Sequence, residues 1–76
     1  MTVREQFLQK LYDMAKGQLT TIDRYDVGNE LDLPNDETDA IVDVLTDTGK
    51  ITKMAGSTIM LTVDAQNEIK QNSSKG

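Results

Sequence analysis

The sequence predicts a small α+β domain, with helices first and a β-hairpin after them. Three observations carry that expectation. Apolar residues recur at helical spacing through the first two-thirds of the chain, and a proline-containing break separates two of those helical stretches. Two β-prone runs then flank a short glycine-containing loop. The whole is 76 residues long, enough for one domain, and a chain of that size buries only about 60% of the surface its unfolded form exposes.

The first helix starts at Thr2-Val3-Arg4-Glu5, where the threonine oxygen can accept from the backbone N–H three residues on while Glu5 reaches back. Val3, Phe7, Leu8, Leu11, Tyr12 and Ala15 follow at helical spacing, and Gly17 supplies a stop. The expected helix runs from Val3 to Lys16. Gln18 to Thr20 reads as an extended connection, and Thr21 or Asp23 caps a second helix that continues to Leu31 with Tyr25, Val27 and Leu31 inward. Gly28 inside it costs about 1 kcal/mol relative to alanine, which points either to close approach of a neighbouring helix or to a weak spot.

Asp32-Leu33-Pro34 breaks the helix, and the proline suits the first turn of the next one. Asn35, Asp36 and Glu37 bring capping and negative groups to the N-terminus of that third helix. Ile41, Val42 and Leu45 form its core stripe and Gly49 ends it. Ile51 to Met54 and Thr58 to Val63 are the two β runs, joined by Ala55-Gly56-Ser57. Ile59, Leu61 and Val63 share the face expected to lie on the helices. Thr62 caps a last short helix from Asp64 to Lys70, anchored by Ile69. The domain is thus expected over residues 1–70, with a flexible polar tail over 71–76.

This order of elements resembles the winged helix-turn-helix family, in which a three-helix core is followed by a two-stranded β wing and a short C-terminal helix. Leu31, Leu33, Ile41, Val42, Leu45, Gly49 and Ile51 fall where that family places apolar residues or the helix-ending glycine. Ile59-Met60-Leu61-Thr62 is similar to its last wing strand and following cap. Phe7, Leu8, Leu11 and Tyr12 resemble the Phe-Leu-x-x-Leu-Tyr segment of small bacterial and archaeal winged-helix proteins of uncharacterised function. The resemblance implies DNA binding, with the exposed face of the third helix in the major groove.

The charges argue otherwise. The chain has 8 basic and 13 acidic residues, a net charge of −5. Between Arg24 and Lys50 there is no basic residue, while eight acids lie there: Asp26, Glu30, Asp32, Asp36, Glu37, Asp39, Asp43 and Asp47. At 100° per residue, Asp36, Asp39, Asp43 and Asp47 span an arc of roughly 80° opposite the core stripe. Affinity for duplex DNA comes largely from neutralising phosphates, and carboxylates oppose that term.

The leading expectation is therefore a non-catalytic regulatory or adaptor module that binds a protein partner, or a second copy of itself, through the acidic third helix and the wing. Its candidate residues are Asp36, Asp39, Asp43 and Asp47, with Met54 and Met60 as a small apolar patch on the wing. In a self-association, the stripe of one copy would lie near the Lys50 and Lys53 wing of another. The alternative is a dimeric transcription regulator that contacts DNA through Asn35, Lys50 and Lys53. An ordinary solvated helix face is the third account of the stripe.

With no cysteine and no histidine, thiol, disulfide and imidazole chemistry are excluded. No phosphate-binding glycine loop or nucleophile elbow is present, and exposed carboxylates lack the burial that would drive their pKa values apart, so no enzyme is expected. A calcium loop starting at Asp32 fails, because Glu37 stands where glycine is needed and Asp43 where a bidentate glutamate belongs. No cofactor and no small-molecule substrate are expected. The Met1 region passes directly into Arg4 and Glu5, and no apolar run approaches the length of a membrane span. These features predict a cytoplasmic protein without membrane contact, for which the Asn72-Ser73-Ser74 glycosylation match is irrelevant.

Overall fold

The computed structural model describes residues 2–73. It contains α1 (Val3–Met14), β1 (Ile22–Asp23), α2 (Arg24–Glu30), α3 (Asn35–Asp47), β2 (Ile51–Lys53), β3 (Thr58–Leu61) and α4 (Val63–Ser73). The three strands form one antiparallel sheet in the order β1-β3-β2. This is an α+β fold whose element order is compatible with a winged helix. The expected hairpin is present, but it gains a third strand because Ile22 pairs with Ile59 and Asp23 with Thr58. Two residues carry no periodicity of their own, so only the neighbouring strand turns them into β1.

The start of α1 matches its sequence signature. Glu5 N donates to Thr2 Oγ1 at 3.2 Å and Thr2 N to Glu5 Oε1 at 3.0 Å, which satisfies two otherwise orphaned donors. The helix ends at Met14 rather than Lys16. Lys16 itself enters the left-handed region with φ 57°, while Gly17 N bonds back to the Tyr12 carbonyl at 3.1 Å. The same closure recurs twice. After α2, Asp32 has φ 57° and Leu33 N donates to the Gly28 carbonyl at 2.9 Å; after α3, Gly49 has φ 76° and Lys50 N donates to the Leu45 carbonyl at 2.8 Å. Each is a Schellman closure of the last carbonyls; the third places glycine at the left-handed position, and in the first Gly17, with φ 74°, follows Lys16 into that region.

Asp23 caps α2 by accepting from Tyr25 N at 2.9 Å. At α3 the cap differs from expectation. Pro34 is the N-cap residue, with extended backbone and no side-chain hydrogen bond, and Asn35 is already helical. Thr62 caps α4 as expected, accepting from Ala65 N at 3.2 Å while its hydroxyl donates to the Gly49 carbonyl at 2.8 Å. Val63 does not continue the β3 face: it opens α4 and is 56% exposed. The helical turn begun by Thr62 rotates it outward. α4 runs to Ser73, and residues 74–76 of the expected tail lie outside the described residues.

The core joins every helix to the sheet. Phe7 and Leu11 from α1, Val27 from α2, Ile41, Val42 and Leu45 from α3, Ile51, Ile59 and Leu61 from the strands, and Ala65 and Ile69 from α4 form one buried cluster. Tyr12, Met14, Leu31 and Leu33 pack against it. Gly28 proves to be a site of close approach. A Cβ built there would stand 2.2 Å from Thr38 Oγ1, so α2 and α3 meet at a distance that only glycine permits. Thr38 is fully buried.

Candidate interaction surface

The outward face of α3 carries Asp36, Asp43 and Asp47 exposed, with Asn35 exposed at its start. Asp39 differs from its neighbours. It accepts from the Tyr25 hydroxyl at 2.8 Å and from Arg24 at 3.3 Å, and is only half-exposed. Holding that hydrogen bond raises the Tyr25 pKa, since ionised tyrosine would lose its donor proton beside a carboxylate.

Arg24 organises this region. Its side chain is 12% exposed; its Nε and its backbone N–H both donate to the Ser57 carbonyl, each at 3.1 Å, and its other end reaches Asp39. One guanidinium thereby fixes the hairpin loop to the start of α2 and to the middle of α3. Its planar fork suits that task, presenting several donors in fixed directions.

Lys50 and Lys53, before and on β2, are also engaged within the chain. Lys53 Nζ lies 2.6 Å from Asp43 Oδ1, and this pair lowers the Asp43 pKa. Lys50 pairs with Glu68 of α4. The side chains of Lys50 and Lys53 keep 31% and 46% of their exposure, so water and salt reach both pairs and each contributes little to stability.

Among the expected contact residues, the structure therefore separates two groups. Asp39 and Asp43 face their own Arg24 and Lys53. Asp36 and Asp47 have no ion pair among the described residues, and exposed Asp26, Glu30, Asp32 and Glu37 extend the unneutralised charge toward the α2–α3 turn. Among the described residues no group of three acids is arranged to hold a metal ion. Met54 and Met60 fall on the hairpin face turned away from the core. Thr52 opposes Met60, and Met54 N bonds Thr58 O, so the two methionines occupy diagonal positions. Met54 is 38% exposed.

Arg24 and Glu68 were not singled out by sequence patterning, and Tyr25 was expected only as an inward residue of the second helix. The signal for Arg24 was its place as the last cation before a long acidic run. Nothing local marked the pairing of Tyr25 with Asp39 or of Glu68 with Lys50, because the partners lie 14 and 18 residues away. Among the described residues no helix is long and apolar enough to cross a membrane. No protein family, curated protein or solved structure matches this chain.

Proposed function

We propose that this chain is a winged-helix module without catalytic activity, which acts inside the cell as an adaptor and docks a basic protein segment on α3 and the adjoining wing. One observation supports this reading above the rest: α3 presents exposed carboxylates at Asp36, Asp43 and Asp47, while the nearest cations, Arg24 and Lys53, already pair with Asp39 and Asp43. A phosphate backbone approaching α3 would meet like charge and would have to compete with Asp39 and Asp43 for Arg24 and Lys53. A lysine- or arginine-rich segment meets complementary charge, which favours fast association and partner selection. Met54 and Met60 add an adaptable apolar contact on the outer face of the hairpin.

The test is an NMR titration of labelled protein with a short lysine- and arginine-rich peptide, and separately with mixed-sequence duplex DNA, at low salt. The expected result is peptide-induced amide shifts along Asn35–Asp47 and at Lys53–Thr58 that shrink with added salt and in the Asp36→Asn/Asp47→Asn variant. DNA should leave those amides unmoved. Silence toward the peptide overturns the proposal. DNA-induced shifts at Asn35, Lys50 and Lys53, lost on Lys53→Ala, would establish the wing as a DNA contact instead.

A further inference from the structure

Two cations of the chain itself rest on the acidic face of α3, and they are held in different ways. Arg24 is 12% exposed, donates from Nε to the Ser57 carbonyl and reaches Asp39 at 3.3 Å. Taking Asp39 away from it leaves a guanidinium charge largely enclosed and unpaired, which is a costly state. Lys53 ends β2, and its Nζ lies 2.6 Å from Asp43 Oδ1. The two side chains of that pair are 46% and 62% exposed, and the ammonium has no other partner among the described residues. At the end of a flexible stem, it leaves Asp43 for water at little cost.

From this contrast we infer that Lys53 is an autoinhibitory cation: resting on Asp43, it occupies the place of a lysine or arginine of the docking segment, and docking displaces it. The inference rests on the proposed docking function and adds its regulation. Asp43, rather than Asp39, is then the carboxylate that a ligand takes over from the chain, because Lys53 yields to solvent and Arg24 does not. Asp47 is exposed one turn further along α3 and has no ion pair among the described residues. A second cation of the segment therefore finds an open acceptor beside the contested one. Any change that removes the Lys53 charge frees Asp43 and strengthens the face for a basic ligand, whereas Arg24 has to stay in place for the hairpin loop to remain fixed to α3.

Titration of four labelled proteins with the lysine- and arginine-rich peptide at low salt tests the inference, with Kd read from the α3 amide shifts. Lys53→Gln, a change on an exposed side chain that should leave the circular dichroism unaltered, should bind about two- to five-fold more tightly than the wild type, the range expected for releasing one exposed ion pair. Lys16→Gln alters the net charge by the same unit at an exposed position just beyond α1, and its Kd should stay close to the wild-type value. In an Asp43→Asn background, Lys53→Gln should add little. Equal affinity of the wild type and Lys53→Gln, an equal gain from Lys16→Gln, or an undiminished gain in the Asp43→Asn background overturns the inference and leaves docking on α3 standing. A peptide that moves no α3 amide in either the wild type or Lys53→Gln overturns docking itself, and the inference with it.

Discussion

Replacing Gly28 by alanine should destabilise the protein, although alanine is the better helix former. The substitution contributes about 1 kcal/mol in favour of α2 through helix propensity. Against this, the new methyl would stand 2.2 Å from Thr38 Oγ1 and 3.3 Å from both Thr38 Cβ and Cγ2. Rotating the threonine gives no relief, because its methyl branch is close as well and the whole side chain is enclosed. The helices must therefore move apart, and overpacking of this kind costs about 1–3 kcal/mol. A contact as short as 2.2 Å calls for the upper part of that range, about 2–3 kcal/mol, and propensity offsets about 1 kcal/mol of it, leaving a net loss of about 1–2 kcal/mol, which for a domain of this size lowers Tm by about 4–16 °C.

The decisive assay is a double-mutant cycle read by thermal or urea unfolding. Thr38→Ala removes both the hydroxyl and the methyl that a Cβ at position 28 would strike. It also removes a buried hydroxyl that has no hydrogen-bond partner among the described residues, so its own cost should be small. In that background Gly28→Ala should gain the propensity of about 1 kcal/mol, giving a coupling of about 2–3 kcal/mol between the two sites. A Gly28→Ala protein as stable as the wild type, or effects that add, would refute the claim that close packing selected this glycine.

Two further predictions concern backbone strain and one surface charge. Asp32 occupies the left-handed region at φ 57°, so Asp32→Gly should raise stability by about 0.5–1 kcal/mol, the relieved strain exceeding the added chain entropy. Gly49→Ala should do the opposite by about 1 kcal/mol, through backbone strain alone, since a Cβ there would meet nothing within 4 Å; both changes are read as shifts in the urea midpoint. The Asp43 carboxyl should titrate below the usual aspartate range because Lys53 pairs with it, and Lys53→Met should bring the midpoint back up. A depressed folded-state pKa means that this pair stabilises above the unfolded-state value and that its contribution fades as pH falls through the folded-state value. Carbon-detected NMR of the side-chain carboxyl follows this directly, and an unchanged midpoint in Lys53→Met would contradict the assigned cause.

The sequence by itself determined the elements whose causes are local. The Thr2/Glu5 box starts α1, Asp23 and Thr62 cap their helices, Gly49 closes α3, and the spacing of Ile41, Val42 and Leu45 selects the face that α3 buries. Each depends on groups within a few residues of one another, so the pattern can be read along the chain. The acidic character of the α3 surface was legible for the same reason, as a count of charges at helical spacing.

Tertiary structure decided whatever depends on distant partners. β1 exists because Ile22 meets Ile59, and Val63 leaves the β face because Thr62 bonds back to Gly49. Asp39 and Asp43 are partly neutralised by Arg24 and Lys53, which are 15 and 10 residues away, and this separates them from Asp36 and Asp47 on a stripe that looks uniform in one dimension. The two clefts beside Leu8, one reaching Ile69 and the other Val44, have no sequence signature at all, since α1 must pack against α4 and α3 before they exist. Periodicity assigns a residue to one face of its own helix, but the angle at which helices cross settles whether that face is covered.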